Sequence, residues 1–294
     1  MHDLIFYSSY LAIPFLVFLI FFIIKKRKTL FKCKLLLFVT FIFFLLAMSF
    51  VYARFVERNM IITKTTKIKT GFSSRVIVVS DLHLGDYKNS NFLKRVVRKI
   101  NKNSDIDAVL IPGDFVYYPS EDLRGLFSEL KNIKFPVYAV LGNHDSEKPG
   151  PPIQEKLQKA LEDNNVVFLH NNDAKINGKN INVLGLGDKW ANEDDVSQIN
   201  NFIKDDNLIV ITHNPDTVFE YKNSIPDLTV TGHTHGGQIR IPFWYKKEIP
   251  CEHAFDKGLY KTRNGKVFVT TGLGEVGLPM RLGVLPVIEV LELY

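Results

Sequence analysis

Cysteine is scarce in this chain, and its first quarter contains almost no acidic residues. Only two cysteines occur among the 294 residues, Cys33 and Cys251. Neither has the Cys-x-x-Cys spacing of a thiolate metal site, and their contexts are too different to suggest a disulfide. We therefore expect two ordinary thiols and no cysteine-based scaffold, metal site or redox centre.

The excess positive charge belongs to the N-terminal part. Residues 1–75 contain 12 of the 37 Lys and Arg residues but only two of the 31 acidic residues, Asp3 and Glu57. The remaining 219 residues contain 25 basic and 29 acidic residues, so their balance is −4. No basic stripe marks this larger part, and we expect no nucleic-acid partner. The N-terminal positive charge is instead suited to anionic lipid head groups.

Two long apolar runs occupy residues 4–24 and 35–53. The first has about the length needed to cross a bilayer, and the second is slightly shorter. We predict a membrane anchor of two transmembrane helices over residues 1–55 rather than a cleaved signal peptide, because no basic segment precedes the first run. Residues 56–74 are then a tether or an edge strand, and residues 75–294 form one folded domain.

The side of the membrane that carries this domain remains open. The loop 25–34 has six basic residues and should stay cytoplasmic, which places the domain outside. If one apolar run only lies in the interface, the domain is cytoplasmic. Basic residues that closely follow the second run also favour this alternative: Arg54, Arg58, Lys64, Lys67 and Lys69. We favour the external face.

Five short polar clusters each end an apolar, β-branched run, and such runs are typical of buried strands. The carboxyl ends of strands form the edge where open α/β sheets place their active sites, so we expect the clusters to meet there. The runs are residues 76–80, 108–112, 137–141, 208–212 and 228–231. The clusters are Asp81-Leu-His83, Gly113-Asp114, Gly142-Asn-His-Asp145, His213 and Gly232-His-Thr-His-Gly-Gly237.

The rest of the pattern predicts two packed sheets covered by helices. Helical spacing covers residues 91–101. A helix-start signal precedes residues 123–130, and Pro151-Pro152 is expected to open a helix that continues to Leu161. Further strand-like runs with shorter links follow later in the chain, at residues 181–186, 238–241, 266–270 and 287–293.

The clusters supply the donors for two transition-metal ions. Imidazole mixed with carboxylate favours Mn, Fe or Zn over Mg, and two such ions about 3.5–4 Å apart promote in-line displacement at phosphorus. We assign Asp81, His83 and His235 to one ion, Asn143, His213 and His233 to the other, and Asp114 to the bridge between them. Each cluster alone is weak evidence, and a lone histidine such as His213 is more often structural. Five clusters in this order make a purely structural role improbable.

Other residues have expected supporting roles. His144 has no ion in this scheme, so we predict that it contacts the phosphoryl group or protonates the leaving oxygen. Asp145 is expected to orient a neighbouring histidine. Arg240 and Arg281 are candidates for support or substrate contact, and Arg281 is equally interpreted as a surface residue. The aromatic and basic patch 243–247 suits a membrane interface or the core.

These motifs resemble those of the calcineurin-like metallophosphoesterases, over residues 76–241. Segments 232–242, 257–260 and 271–283 further resemble a membrane-anchored bacterial phosphodiesterase branch. That branch is similar to the UDP-2,3-diacylglucosamine pyrophosphohydrolases of lipid A synthesis. One departure is Tyr117, because many members carry an acidic residue at this position.

The resemblance implies a four-layer αββα sandwich of two mixed sheets, an α+β type of α/β fold, with residues 75–294 as the catalytic domain. It implies a dinuclear Mn-type centre at the bacterial inner membrane and a lipid-linked phosphodiester or pyrophosphate substrate, such as UDP-2,3-diacylglucosamine. The alternatives are a generic phosphatase or nucleotidase and a cell-envelope phosphodiesterase on the outer face. A non-catalytic scaffold is disfavoured because all seven candidate ligands and His144 are present.

Overall fold

A computed structural model describes residues 2–119, 122–146, 153–203 and 205–294. Its N-terminal region is helical, with α1 (His2–Ser8), α2 (Ala12–Lys32) and α3 (Lys34–Val51). Two continuous helical segments, Leu4–Lys32 and Lys34–Asn59, are long and apolar enough to cross a membrane. They pack against each other as a hairpin, whose sharp bend lies at the extended residue Cys33.

The end of the second long helix packs directly onto the domain that follows. Glu57 accepts a hydrogen bond from the backbone N–H of Val284, and Arg58 forms an ion pair with Glu275. Strand β1 (Ile62–Ile68) then pairs with the last strand of the chain at the edge of a sheet. Residues 57–68 therefore belong to the packed structure of the domain.

The first sheet has six strands in the order β1-β14-β2-β4-β6-β7. Strands β2, β4, β6 and β7 run parallel, whereas β14 is antiparallel to β2. Their ranges are β2 (Ser74–Val78), β4 (Ala108–Pro112), β6 (Val137–Val140), β7 (Val166–Phe168) and β14 (Val287–Leu293). A separate two-stranded ladder joins β3 (Leu84–Gly85) and β5 (Val116–Tyr117).

The second sheet also has six strands, in the order β12-β13-β11-β10-β9-β8. Its four central strands are parallel, and β8 and β12 are antiparallel edge strands. The ranges are β8 (Asn172–Lys175), β9 (Asn182–Gly185), β10 (Leu208–Ile211), β11 (Leu228–Thr231), β12 (Gly258–Thr262) and β13 (Gly265–Val269).

Alternating side chains divide the core between the layers. Val76 and Val78 of β2 face the cluster shared by the two sheets, which includes Ile209 and Val230 of the second sheet. Ile77, the residue between them, belongs to a second cluster on the outer face of the first sheet. Three helices cover that face: α4 (Ser90–Ile100), α5 (Leu123–Leu126) and α6 (Gln154–Glu162).

Short 3₁₀ segments cover the outer face of the second sheet. Ile199 and Val218 from two of them pack with Val210 and Val267 of the strands below. The predicted four-layer sandwich of two mixed sheets is thus confirmed, with its fourth layer made of 3₁₀ turns in the described part of the chain.

Most strand predictions agree with the structure, and one is wrong. All five runs that precede the polar clusters are strands. Residues 238–241 form a loop with a single bridge, Ile239 to Leu282, because Gly237 and Gln238 both adopt positive φ. The predicted helix 123–130 is shorter, since α5 ends at Leu126 and Leu130 begins a 3₁₀ turn. Pro151 and Pro152, expected to open the next helix, lie outside the described residues.

Candidate metal centre

The polar clusters meet where the carboxyl ends of strands from both sheets come together. Two hydrogen bonds join the sheets at this edge. The His213 ring, after β10, bonds through Nδ1 to the carbonyl of Pro112 at 2.8 Å. The backbone N–H of His233, after β11, donates to Oδ1 of Asp81 at 3.0 Å. The site therefore lies across the junction of the two sheets rather than on one of them.

Two groups of donor atoms form at this junction, and they share one carboxylate. Within each group all donor atoms lie within 4.8 Å of one another. The first group is Asp81, His83, Asp114 and His235, and the second is Asp114, His213 and His233. Apart from Asn143, they contain the residues of the two sets assigned from the sequence, with Asp114 common to both. Asn143, the remaining predicted ligand, is buried and lines the same cavity as Asp114 and His233.

Backbone carbonyls orient two of the imidazole rings. His83 bonds through Nδ1 to the carbonyl of Val116 at 3.2 Å, and His213 bonds in the same way to Pro112. A carbonyl only accepts, so Nδ1 of each ring carries a proton, and Nε2 presents a lone pair whenever the ring is neutral. The lone pair of His83 points at Nε2 of His235, 3.1 Å away. This arrangement is typical of histidines that bind metal ions.

The charges at the site favour a bound cation between the donor atoms. Nε2 of His213 lies 3.1 Å from Oδ2 of Asp114. Burial disfavours the imidazolium form, but the Asp114 carboxylate outweighs it and raises the pKa of His213 to about 10. Burial lowers the pKa of His83 and of His233 to about 3, so both rings are neutral. A divalent ion would displace the proton that Asp114 and His213 otherwise share.

Asp81 gives independent support for a bound cation. Its side chain is fully buried, and Oδ2 has no hydrogen-bond partner among the described residues. A buried carboxylate oxygen without a donor or cation is costly, and burial raises the pKa of Asp81 to about 7. The residues present therefore fit two divalent ions, one held by each donor group.

Backbone strain is concentrated at the same residues. Five of the seven predicted ligands have positive φ, namely Asp81, His83, Asp114, His233 and His235. Such conformations cost about 1–3 kcal/mol each for a non-glycine residue and are a feature of functional sites. Packing around the site offsets this cost, and the strain therefore supports a functional role for these residues.

His144 lies at the wall of a cavity above the donors. The cavity has a volume of about 720 Å³ and is lined by Asp114, Asn143, His144, His233 and His235 at its polar end. The backbone N–H of His144 donates to Oδ1 of Asp114 at 3.0 Å, and its ring lies 5.0 Å from the His83 ring. His144 belongs to neither donor group, as the sequence predicted, and faces the space where a substrate would lie.

Asp145 orients the backbone of the site rather than a histidine. It is fully buried, and its carboxylate oxygens accept hydrogen bonds from the N–H groups of Phe115, Val116 and Gly142. It thereby fixes the loops that carry Asp114 and Asn143. We expected Asp145 to orient an imidazole, but its oxygens face backbone N–H groups instead.

Neither predicted arginine faces the open cavity. Arg281 is fully buried and donates to the carbonyls of Thr271 and Gly274, so its interpretation as a surface residue is wrong. Arg240 donates to the carbonyl of Gly236 and forms an ion pair with Asp256 at 2.6 Å. Both side chains support loops around the site, and their expected contact with substrate is not favoured.

Sequence reasoning missed Asp188 and Trp190. Asp188 follows β9 at the same edge and is buried, and burial raises its pKa to about 6. The Trp190 ring packs edge-on against His233 with centroids 4.5 Å apart and lines the cavity. The sequence did contain a signal for Asp188. Gly187-Asp188 follows the apolar run 181–186, as the other polar clusters follow their strands. Tyr117, the noted departure, contacts both His83 and His144.

Comparison with known proteins agrees with this site. A Bacillus subtilis protein described as the uncharacterized metallophosphoesterase YkuE is 29% identical over 82% of this chain and 88% of its own length. The Escherichia coli phosphodiesterase YaeI is 26% identical over 74% of the chain and 82% of its own length. The UDP-2,3-diacylglucosamine pyrophosphatase LpxG of Chlamydia muridarum is 26% identical over 58% of the chain and 65% of its own length.

The calcineurin-like phosphoesterase family matches residues 74–237, which are more than half of the chain. The match includes every strand end that carries a predicted ligand. Members of this family are hydrolases that use a dinuclear divalent metal centre, and the buried His and Asp groups supply the donors for one. The chain therefore belongs to the calcineurin-like phosphoesterase family.

Proposed function

We propose that this protein is a membrane-anchored phosphodiesterase or pyrophosphatase acting on a lipid-linked substrate at the bacterial inner membrane. The observation that carries the proposal is the pair of donor groups joined by Asp114, at the polar end of a cavity with an apolar wall. Mn²⁺ is the ion that best suits this donor set, and Fe or Zn are the alternatives. When bound, such ions polarise a phosphoryl group and activate water.

The protein side chains have distinct roles in this proposal. Asp81, His83 and His235 would hold one ion and Asn143, His213 and His233 the other, with Asp114 placed to serve both. His144 contacts the phosphoryl group or gives a proton to the leaving oxygen, because its ring faces the cavity beside Asp114. Proton transfer by a positioned side chain typically contributes about 10²–10⁴-fold in rate.

The apolar wall supports a substrate with a lipid part. It is formed by Ile239, Ile241, Trp244, Val276 and Leu278, all of which line the cavity. Packing acyl chains against such a wall removes their apolar surface from water, which stabilises the bound substrate. The two N-terminal helices would keep the cavity near membrane lipids, and LpxG, a relative of this chain, is named for a diacylated substrate.

A neighbouring cavity supports a polar group on the other side of the scissile bond. It has a volume of about 560 Å³, shares Trp190 with the first cavity and is lined by Lys189, Asn192, Asn214 and Asp216 among others. Hydrogen-bonding and charged side chains of this kind suit a nucleotide or sugar head group. UDP-2,3-diacylglucosamine combines such a head group with acyl chains, and it is our leading substrate.

A cell-envelope phosphodiester on the outer face is the second candidate. Two of the basic residues that favoured a cytoplasmic domain are buried, because Arg54 packs on aromatic rings and Arg58 pairs with Glu275. They are therefore poorly placed to set the orientation, and the basic loop 25–34 then favours an external domain. Lys64, Lys67 and Lys69 still favour the inside. An external domain would not meet a cytoplasmic nucleotide lipid.

The decisive assay is release of UMP from UDP-2,3-diacylglucosamine by the full-length protein in detergent with Mn²⁺, compared with Asp114→Ala. Metal-dependent release by the wild type alone would support the leading substrate and a cytoplasmic active site. If a simple aryl phosphodiester is cleaved and UMP is not released, the envelope phosphodiester is favoured. Failure to cleave either one, although two ions bind, would contradict the proposal and favour a generic phosphatase or a scaffold.

A further inference from the structure

The mouth of the cavity carries an unusual concentration of exposed apolar side chains. The segment 241–247, which we call the rim loop, exposes 53% of Ile241, 99% of Phe243 and 57% of Trp244. Leu278, on a neighbouring loop, is 43% exposed and lines the same cavity. Contiguous exposed apolar residues beside a polar site mark an interaction surface.

Phe243 is held outward by its backbone. Its φ is +68°, a left-handed conformation that is unfavourable for a bulky residue. Phe243 is absent from the residues that line the cavity, whereas its neighbours Ile241 and Trp244 line it. The Phe243 ring is almost fully exposed and adds nothing to the core, so packing within the domain does not account for its strained backbone.

The cavity wall is connected to the membrane anchor. Phe6 of α1 stacks on Tyr87 with ring centroids 5.7 Å apart. The Tyr87 hydroxyl donates to the carbonyl of Gly277 at 2.7 Å, and the Gly277 N–H donates to the Tyr117 hydroxyl at 3.0 Å. Gly277 and Tyr117 both line the cavity. The Phe6 ring also packs under the guanidinium of Arg54, near the end of the second long helix. This wall of the cavity is therefore joined to the end of the anchor from which the domain begins.

The charges of the rim loop suit the same partner. Lys246 and Lys247 are exposed, and the Lys247 ammonium lies 5.4 Å from the Trp244 ring. Two acidic side chains contact the rim loop. Glu248 accepts a hydrogen bond from Trp244 Nε1 at 2.9 Å, and Asp256 accepts one from the Tyr245 hydroxyl while it is paired with Arg240. Tryptophan beside lysine is typical of segments at the membrane–water interface, where anionic head groups attract the ammonium groups.

We infer that the rim loop docks into the head-group region of the bilayer that holds the anchor, with Phe243 and Trp244 inserted. The cavity then opens onto the membrane surface, and a lipid reaches the metal centre without leaving the bilayer. The docking itself does not depend on the substrate, and only its kinetic effect rests on the proposed lipid-linked substrate.

Tryptophan quenching tests the docking directly. The chain has two tryptophans, so Trp190→Phe leaves Trp244 as the only reporter in full-length protein reconstituted in phosphatidylglycerol and phosphatidylethanolamine vesicles with brominated acyl chains. The control carries Trp190→Phe, Trp244→Phe and Ile225→Trp. Ile225 is 60% exposed and precedes β11, so it lies at the opposite edge of the sheet from the site.

Docking predicts that Trp244 loses most of its emission in brominated vesicles while the tryptophan at 225 keeps most of its emission. Equal quenching at both positions, or none at Trp244, would overturn the inference. This readout needs no catalysis, so it stays informative if the lipid substrate proves wrong.

A kinetic test uses Phe243→Asn, because asparagine accepts positive φ and removes the apolar ring. With a phospholipid that carries a chromogenic phosphodiester head group in the same vesicles, we expect kcat/KM to fall about tenfold, equivalent to ~1.4 kcal/mol. Hydrolysis of a soluble aryl phosphodiester should not change. An equal loss on both substrates would mean that Phe243 shapes the site itself, and would contradict docking.

Discussion

Arg58 and Glu275 form a buried ion pair 2.8 Å long, with side chains 4% and 0% exposed. Arg58 lies in the last turn of the second long helix. Glu275 lies on a loop beside the metal centre, because the N–H of Leu273 on the same loop donates to the carbonyl of Ser80, the residue before Asp81. The Lys88 ammonium lies 3.2 Å from the same carboxylate. One buried charge network thus joins the anchor to the loop behind the candidate metal centre.

Breaking this pair should be costly. We expect Arg58→Met to lower the free energy of unfolding by about 1.5–3 kcal/mol, because Oε2 of Glu275 loses its buried charged donor while Lys88 still compensates the carboxylate. Thermal unfolding in detergent measures the loss. The control is Lys67→Met, which removes an exposed pair with Glu292 whose atoms are 3.8 Å apart and should cost at most about 1 kcal/mol. Equal losses in the two variants would contradict this account.

Gly272 should be required for the ion held by Asp81. It has φ +66°, and a Cβ atom built on it would lie 2.6 Å from Cβ of Asp81. We expect Gly272→Ala to displace Asp81 and remove one of the two ions, which metal analysis of purified protein would detect. Gly178 has φ +72° with nothing within 4 Å, so Gly178→Ala adds only the backbone strain of about 1–2 kcal/mol. Retention of both ions by Gly272→Ala would contradict the prediction.

The strands and the ligands could be predicted from the sequence because both signals are local. An apolar run followed by His, Asp or Asn defines the strand and its functional end within a few residues. Parallel pairing brings these ends to one edge within each sheet. Asp81 follows a strand of the first sheet and His235 follows a strand of the second, so their meeting depends on how the two sheets pack, which no local signal gives. Asp188 escaped notice because a single carboxylate after a strand is common.

The environment of the arginines could not be predicted in the same way. Arginine is almost never fully buried unless it is paired, so Arg281 and Arg58 suggested surface residues or membrane-flanking charges. Their partners, such as Glu275 for Arg58, are distant in sequence or are backbone carbonyls. The loop at 238–241 had the residue types of a strand, but the left-handed backbone at Gly237 and Gln238 could not be recognised from apolar spacing.

His144 should be needed for turnover and not for metal binding. We expect His144→Ala to keep both ions and to lose about 10²–10⁴-fold in kcat, as is typical when a positioned proton donor is removed. Metal analysis and hydrolysis of an aryl phosphodiester provide the two measurements. The control is His170→Ala, since His170 is exposed and belongs to neither donor group. Release of metal from His144→Ala would mean that His144 is a ligand.

Glu289 should make the stability of the protein depend on pH. Burial raises its pKa from 4.5 to about 7, so the folded state binds more protons than the unfolded state between these values. The free energy of unfolding therefore falls as the pH rises from about 4.5 through 7. Glu289→Gln should remove the part of this dependence that Glu289 contributes and be more stable than the wild type at pH 8, by up to about 3 kcal/mol.

Thermal unfolding of both proteins at pH 5 and pH 8 measures this difference. Glu292→Gln, on the same strand and partly exposed, is the control and should keep the pH dependence of the wild type. A Glu289→Gln variant that loses stability at pH 8 would show that the ionised carboxylate stabilises the fold.

The central claim is that two ions share Asp114, and anomalous scattering from crystals grown with Mn²⁺ tests it most directly. We predict two peaks, about 3.5–4 Å apart as in other two-metal sites, one beside Asp81, His83 and His235 and the other beside Asn143, His213 and His233. The carboxylate of Asp114 should contact both, and Asp114→Ala should lose at least one peak. A single peak in wild-type crystals would contradict the account. So would two peaks that are not both in contact with the Asp114 carboxylate.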